Sequence, residues 1–344
     1  ASGSRTNYTN RLTGEGDVTI HMARHPNYDG IYRTACQMNW SAFKGTLNLT
    51  TVSAANAFPL DNANGMANAT LNLGTDVTVL NTGRTFRIGA LIGTGTLGGP
   101  VSYTQSAPTG TNTWQAGSLD TDFTFGGKIA DNSNFDKLGD GTMTVTGAWT
   151  NTGKVNISAG AIKLNNSKAT TAMLGTGTLT VRGTLCGQGF LGNGTTTVAS
   201  GGTLRPGLTE GALTGVLKFD GGTVTIASGA TAVFSIASKT RSCQLSGIGT
   251  LNFRGTLRVV FNSSVSLAEC DEIRLFTCDK FGSDTPEAYD LPDSYIDKNN
   301  DLYAVQWDTS RIAEGILVVK SCQVPTGIDA AQATAAAAHH TLYD

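Results

Sequence analysis

The 344-residue chain has a net charge of −2, 15% charged residues and 43 glycines, against about 25% charged and about 7% glycine in an ordinary soluble domain. It has no long basic or acidic run to track a phosphate backbone and no stretch near about 18 apolar residues to span a bilayer, so neither nucleic acid nor a membrane is an expected partner. At roughly 150 residues per domain the length fits two domains or one elongated one.

The opening ASGSRTN lacks the features of a signal peptide and reads as the start of an excised module. In VTIHMARHPNYDG a strand runs into a Pro-Asn turn, so His21 and His25, spaced i,i+4, lack the helix on which that spacing would suit a metal. Tyr28, Tyr32, Arg33 and Trp40 follow. They read either as an aromatic cap over the first turns of a core or as sugar-stacking residues with a polar partner. From residue 45 a short unit recurs: GTLNL at 45–49, ATLNL at 69–73, GTGTLGG at 93–99, GTMTVTG at 141–147, GTLTV at 177–181, GTVTI at 222–226 and GTLNFRGTLRVVF at 249–261.

Within a unit the period is two. In TLTV, Leu179 and Val181 fall on one side and Thr178 and Thr180 on the other. The units restart at Gly183, Gly202 and Gly222, steps of about 20 residues that belong to repeat architectures. Strands this short, separated by Gly-Gly, Ser-Gly and Asn-Gly corners rather than hairpin signals, satisfy their backbone groups when each pairs with its equivalent one turn later. The expected fold is all-β, a single-stranded right-handed parallel β-helix over residues 1–322, followed by a linker or truncated tail over 323–344.

Three stretches depart from the pattern. Residues 100–122 form a polar excursion containing Tyr103, Trp114, Gln115, Asp120 and Asp122. Its rings are read as packing on the rod or as ligand contacts, and the two aspartates as corner caps or polar partners of a sugar. Residues 262–304 are more charged and contain SDTPEAYDLPDSYIDKNND, which reads as an inserted loop between EIRLFTC and YAVQW, and 323–344 contains an alanine run. Trp149, in TGAWTNTG between two strands, is expected to project outward from a turn and to be the leading stacking residue, whereas Trp307 alternates with Tyr303 and Val305 and reads as core. The six cysteines, Cys36, Cys186, Cys243, Cys270, Cys278 and Cys322, include no CxxC pair. Cys270 with Cys278 is the local disulfide candidate, and buried free thiols are the other reading.

Chemistry is harder to find than architecture. A β-helical lyase needs clustered carboxylates for calcium and a base beside the uronate. Asp120, Asp122, Asp131 and Asp136 have no evident basic companion, GDG at 139–141 is a faint echo of an inverting hydrolase site, and no nucleophile elbow is present. The outward threonines would suit an ice lattice only if regular, and Lys163, Arg182, Lys218 and Arg258 interrupt them.

DFTFGGKIADNSNFDKLGDGTMTVTGAWTNTGKVNISAGAIKLNN, and GTLTVRGTLCGQGFLGNGTTTVASGGTLRPG after it, resemble the autotransporter-associated β-strand repeat of bacterial passenger domains. WDTSRIAEGILVV is similar to the closing strand of such arrays in secreted Bacteroidetes proteins, and TGIDAAQ…TLYD to the start of a sorting segment. The chain as a whole resembles the family 89 carbohydrate-binding modules, β-helical modules associated with xylanases. The resemblance implies a secreted or cell-surface, non-catalytic module without a cofactor, whose partners are xylan or a related hemicellulose and a linked catalytic domain. The alternatives are a pectin-active lyase or hydrolase, and an adhesin or structural spacer.

Overall fold

The structure, a computed structural model, describes residues 10–22, 38–51, 57–60, 62, 64–100, 110–130, 132–192 and 194–324. It is all-β. Among the described residues the one helical element is the 3-10 turn Ile312–Glu314, as the scarcity of helical periodicity requires.

Strands of three to five residues form few backbone bonds each, so they persist by pairing on both edges. Two long parallel ladders do this. The first runs from Asn112–Ala116 through Ser133–Lys137, Val155–Ile157, Leu179–Val181, Thr196–Val198 and Thr223–Ile226 to Arg241–Phe253. The second runs from Phe123–Phe125 through Thr142–Val145, Ala161–Asn165, Thr184–Gly192, Thr203–Pro206 and Thr231–Ser238 to Thr256–Phe261 and Ala288–Asp290. Consecutive rungs stand about 4.8 Å apart. Thr85–Gly93 touches both ladders, pairing with Asn112–Ala116 near its start and with Phe123–Phe125 at its end. This large, mostly parallel arrangement is compatible with a β-solenoid.

Side chains stack in the same register as the backbones. In the first ladder Phe135, Val155 and Leu179 align inward, and in the second Met143, Ile162, Leu185, Leu204 and Ala232 do; all are buried. At about 25 cal/mol per Å² of apolar surface, these columns are the main stabilising term. The stretch expected as an insertion is partly built into the sheets: Ala288–Asp290 adds the last rung of the second ladder, and Ser294–Ile296 pairs antiparallel with Leu302–Asp308. The latter belongs to a four-stranded antiparallel sheet that also contains Glu272–Arg274 and Ile316–Gln323.

The period-two pattern of SNFDK also puts a charge inside. Lys137 aligns with Ala116 on one rung and Ile157 on the next and is fully buried. Its Nζ donates to the carbonyls of Leu138 (2.6 Å) and Gly139 (2.9 Å). Burial lowers its pKa, and the charges of Asp120, Asp140 and Asp122 oppose that fall without cancelling it. Between the lowered folded value and 10.5, the unfolded chain therefore binds more protons, so this residue makes stability rise with pH in that window. The wild-type urea midpoint minus that of Lys137→Met should therefore increase as pH rises to 10.5, a difference that cancels the opposite contribution of the raised thiols Cys186 and Cys243; a difference that stays constant would place the ammonium in water.

No disulfide joins the five described cysteines, and Cys270 and Cys278 are unpaired. Cys186 and Cys243 are buried thiols; burial raises both, Cys243 to about 11, so they stay protonated at neutral pH.

Candidate functional site

Outward residues on the first ladder form two polar columns. One comprises Gln115, Asp136, Asn156, Thr180, Thr197 and Thr225, each on the rung after the last. The neighbouring column includes Thr113, Asn134, Lys154, Thr178 and Thr195. Beside the second column the corner residues draw in to glycine, and an open groove of about 530 Å³ follows the rungs. Thr152, Lys154, Thr176, Thr178 and Thr195 are exposed along it. Gly177 sits at its floor, where a Cβ would come within 1.9 Å of the Gly153 carbonyl oxygen. Replacing this residue with a larger one would fill the trough and push adjacent rungs apart. The groove offers threonine hydroxyls on successive rungs and one ammonium group, the amides of Asn132 and Asn134 being already hydrogen-bonded within the protein, and no aromatic side chain lines it.

The aromatic residues expected at the surface lie elsewhere. Trp149 is 2% exposed: its backbone N–H donates to the Ala172 carbonyl at 3.1 Å, and its indole packs edge-to-face on Phe135 with centroids 4.9 Å apart. The turn carrying it folds into the structure rather than outward, because the buried Phe135 ring and the neighbouring rung provide an apolar seat. Trp114 is fully buried on the strand Asn112–Ala116 rather than in a surface excursion; its Nε1 donates to the Gly98 carbonyl at 3.0 Å and its ring meets Phe86. Trp40 is fully buried against Phe43. None of the three offers a ring face to a sugar: the stacking role expected of Trp149 is corrected to a packing role, and Trp40 and Trp114 take the packing reading open to them beside the stacking one. Trp307, expected in the core, is instead half-buried, tilted on Phe261 and donating from Nε1 to the Pro292 carbonyl at 2.7 Å. Tyr28, Tyr32, Arg33, Tyr103 and His25 lie outside the described residues.

The polar candidates are already engaged. Asp120 and Asp122 accept the backbone N–H groups of Asp140 (2.9 Å) and Thr142 (2.6 Å), clamping one rung to the next. That is the corner-cap arrangement, and it uses one oxygen of each carboxylate. Gln115 accepts from Arg87 at 3.2 Å and donates to Asp136 at 3.2 Å, so it is a link in its column. His21 lies 2.9 Å from the Thr50 hydroxyl. Among the described residues no group of three or more His, Cys, Asp or Glu side chains is placed to hold a metal ion, and no helix is long and apolar enough to cross a membrane.

A second groove, of about 470 Å³, runs over the outward face of the second ladder. Thr184, Thr203, Thr231 and Thr256 follow one another rung by rung along it, beside Arg205 and Arg258. Alternation marks these threonines as outward, but the residues that align across rungs are separated by unequal stretches of chain, so the column and its arginines come together only through the pairing register.

The chain matches no family model, and no curated protein matches it.

Proposed function

We propose that the chain is a right-handed parallel β-helix that binds a plant cell-wall polysaccharide, xylan in the first instance, along the groove of the first ladder. It does so without cleaving the polymer. Its role would be to hold a linked glycoside hydrolase at insoluble substrate in a secreted or cell-surface protein, raising the local concentration of substrate. The observation that supports this reading is the open trough of exposed threonine hydroxyls repeated at about 4.8 Å, because an extended sugar chain presents hydroxyls at a similar repeat. Recognition would then rest on hydrogen bonds rather than on the ring stacking expected from the sequence.

Affinity electrophoresis against xylan, mannan, pectin and cellulose tests it. Retardation in the xylan gel, lost in Thr178→Arg, is the expected result: Thr178 is an exposed groove residue, and an arginine there obstructs the trough while sparing the core. Absence of retardation on every polymer would remove the binding reading and leave the spacer. Reducing ends or unsaturated products released from pectin would replace it with an enzyme.

A further inference from the structure

We infer that the second ladder carries a separate binding site for a uronate-bearing polysaccharide at one end of its groove, with Arg205, which lines the groove, and Lys163, on the rung beyond the groove's Thr184 end, holding the carboxylates. Lys163, Cys186 and Arg205 occupy successive rungs in register. The two cations therefore flank a single uncharged rung and stand about 10 Å apart along the ladder. Thr184 and Thr203 lie beside them in the neighbouring column. Arg205, Thr184 and Thr203 line the groove, and Lys163 stands one rung beyond its end.

The charge pattern of this face explains why an anion is expected there. Arg258, farther along the groove, is neutralised by Glu210 (3.5 Å) and Asp290 (3.2 Å). Arg205 and Lys163 have no carboxylate within ion-pair distance among the described residues. The Nη1 of Arg205 is moreover buried without a hydrogen-bond partner. A guanidinium partly drawn from water carries a desolvation cost that a carboxylate on the side facing the groove offsets. Nearby thiols do not compete as anions, since burial keeps Cys186 and Cys243 protonated. A polyuronate carries carboxylates along its length, so two of them can reach both cations while its hydroxyls meet the threonines.

This site does not depend on the first groove, and the test separates the two. The full chain is titrated calorimetrically with an oligogalacturonate and with the same oligosaccharide after carboxyl reduction. Saturable binding of the acidic form is expected. Carboxyl reduction or Arg205→Gln should weaken it about tenfold or more, as for loss of a charged hydrogen bond. Lys163→Gln should weaken it less, Arg205→Lys should restore part of it, and circular dichroism should show each variant folded. Xylan retardation should be unchanged by Arg205→Gln and abolished by Thr178→Arg. Equal affinity for the reduced oligosaccharide, an unaffected Arg205→Gln, or no binding of the acidic form would overturn the inference while leaving the xylan result to stand or fall alone.

Discussion

Replacing Trp149 with alanine is expected to lower stability by about 3–5 kcal/mol and to leave xylan retardation of the folded protein unchanged. The side chain is almost wholly buried, and its edge-to-face contact with Phe135 lies beside the inward column of the first ladder. Removing the indole empties a space that Phe135 and the fixed neighbouring rungs can only partly fill. Trp149→Phe should cost much less, because it keeps a ring and also removes an indole N–H that has no partner. Urea midpoints with an unchanged m-value distinguish a stability effect from a change in the folded array. Loss of retardation with an unchanged midpoint would instead give Trp149 the ligand role that its position in a turn first implies.

That reversal marks what the sequence could carry. Alternation within TLTV and TMTV specifies which side chains stack inward, and the structure puts Leu179, Val181, Met143 and Val145 in the core on that basis. The same rule applied to SNFDK already points Lys137 inward with Ser133 and Phe135, so that buried ammonium was legible although its charge argues against it. Trp149 was not legible, because a turn's direction is decided by the rung it leans on, here Phe135 and the Ala172 carbonyl. The grooves were hidden for a related reason. Alternation gives a residue's face, but only the pairing register aligns Lys163 with Cys186 and Arg205, or Thr178 with Thr195, and the intervening corners vary in length.

Gly187→Ala is the second large effect, expected at about 2–5 kcal/mol, combining positive-φ strain with overpacking against backbone. Gly187 has φ +108°, and a Cβ there would lie 2.0 Å from the Leu164 carbonyl oxygen on the paired rung. Leu164 cannot retreat easily, since its own rung is held by Val145 on the far side. Gly187 also exchanges two hydrogen bonds with Gly207, at 2.9 and 2.7 Å, where the strand Thr184–Gly192 passes from pairing with Thr203–Pro206 to pairing with Gly215–Phe219. Any shift that relieves the clash therefore disturbs both junctions. Gly201→Ala separates the two contributions: φ is +81° there, but nothing lies within 4 Å of the added Cβ, so only the strain of about 1–2 kcal/mol remains. Urea midpoints should fall further for Gly187→Ala than for Gly201→Ala. Equal falls would mean that the rungs yield at Gly187, and that the stacked register is softer than its close backbone contacts require.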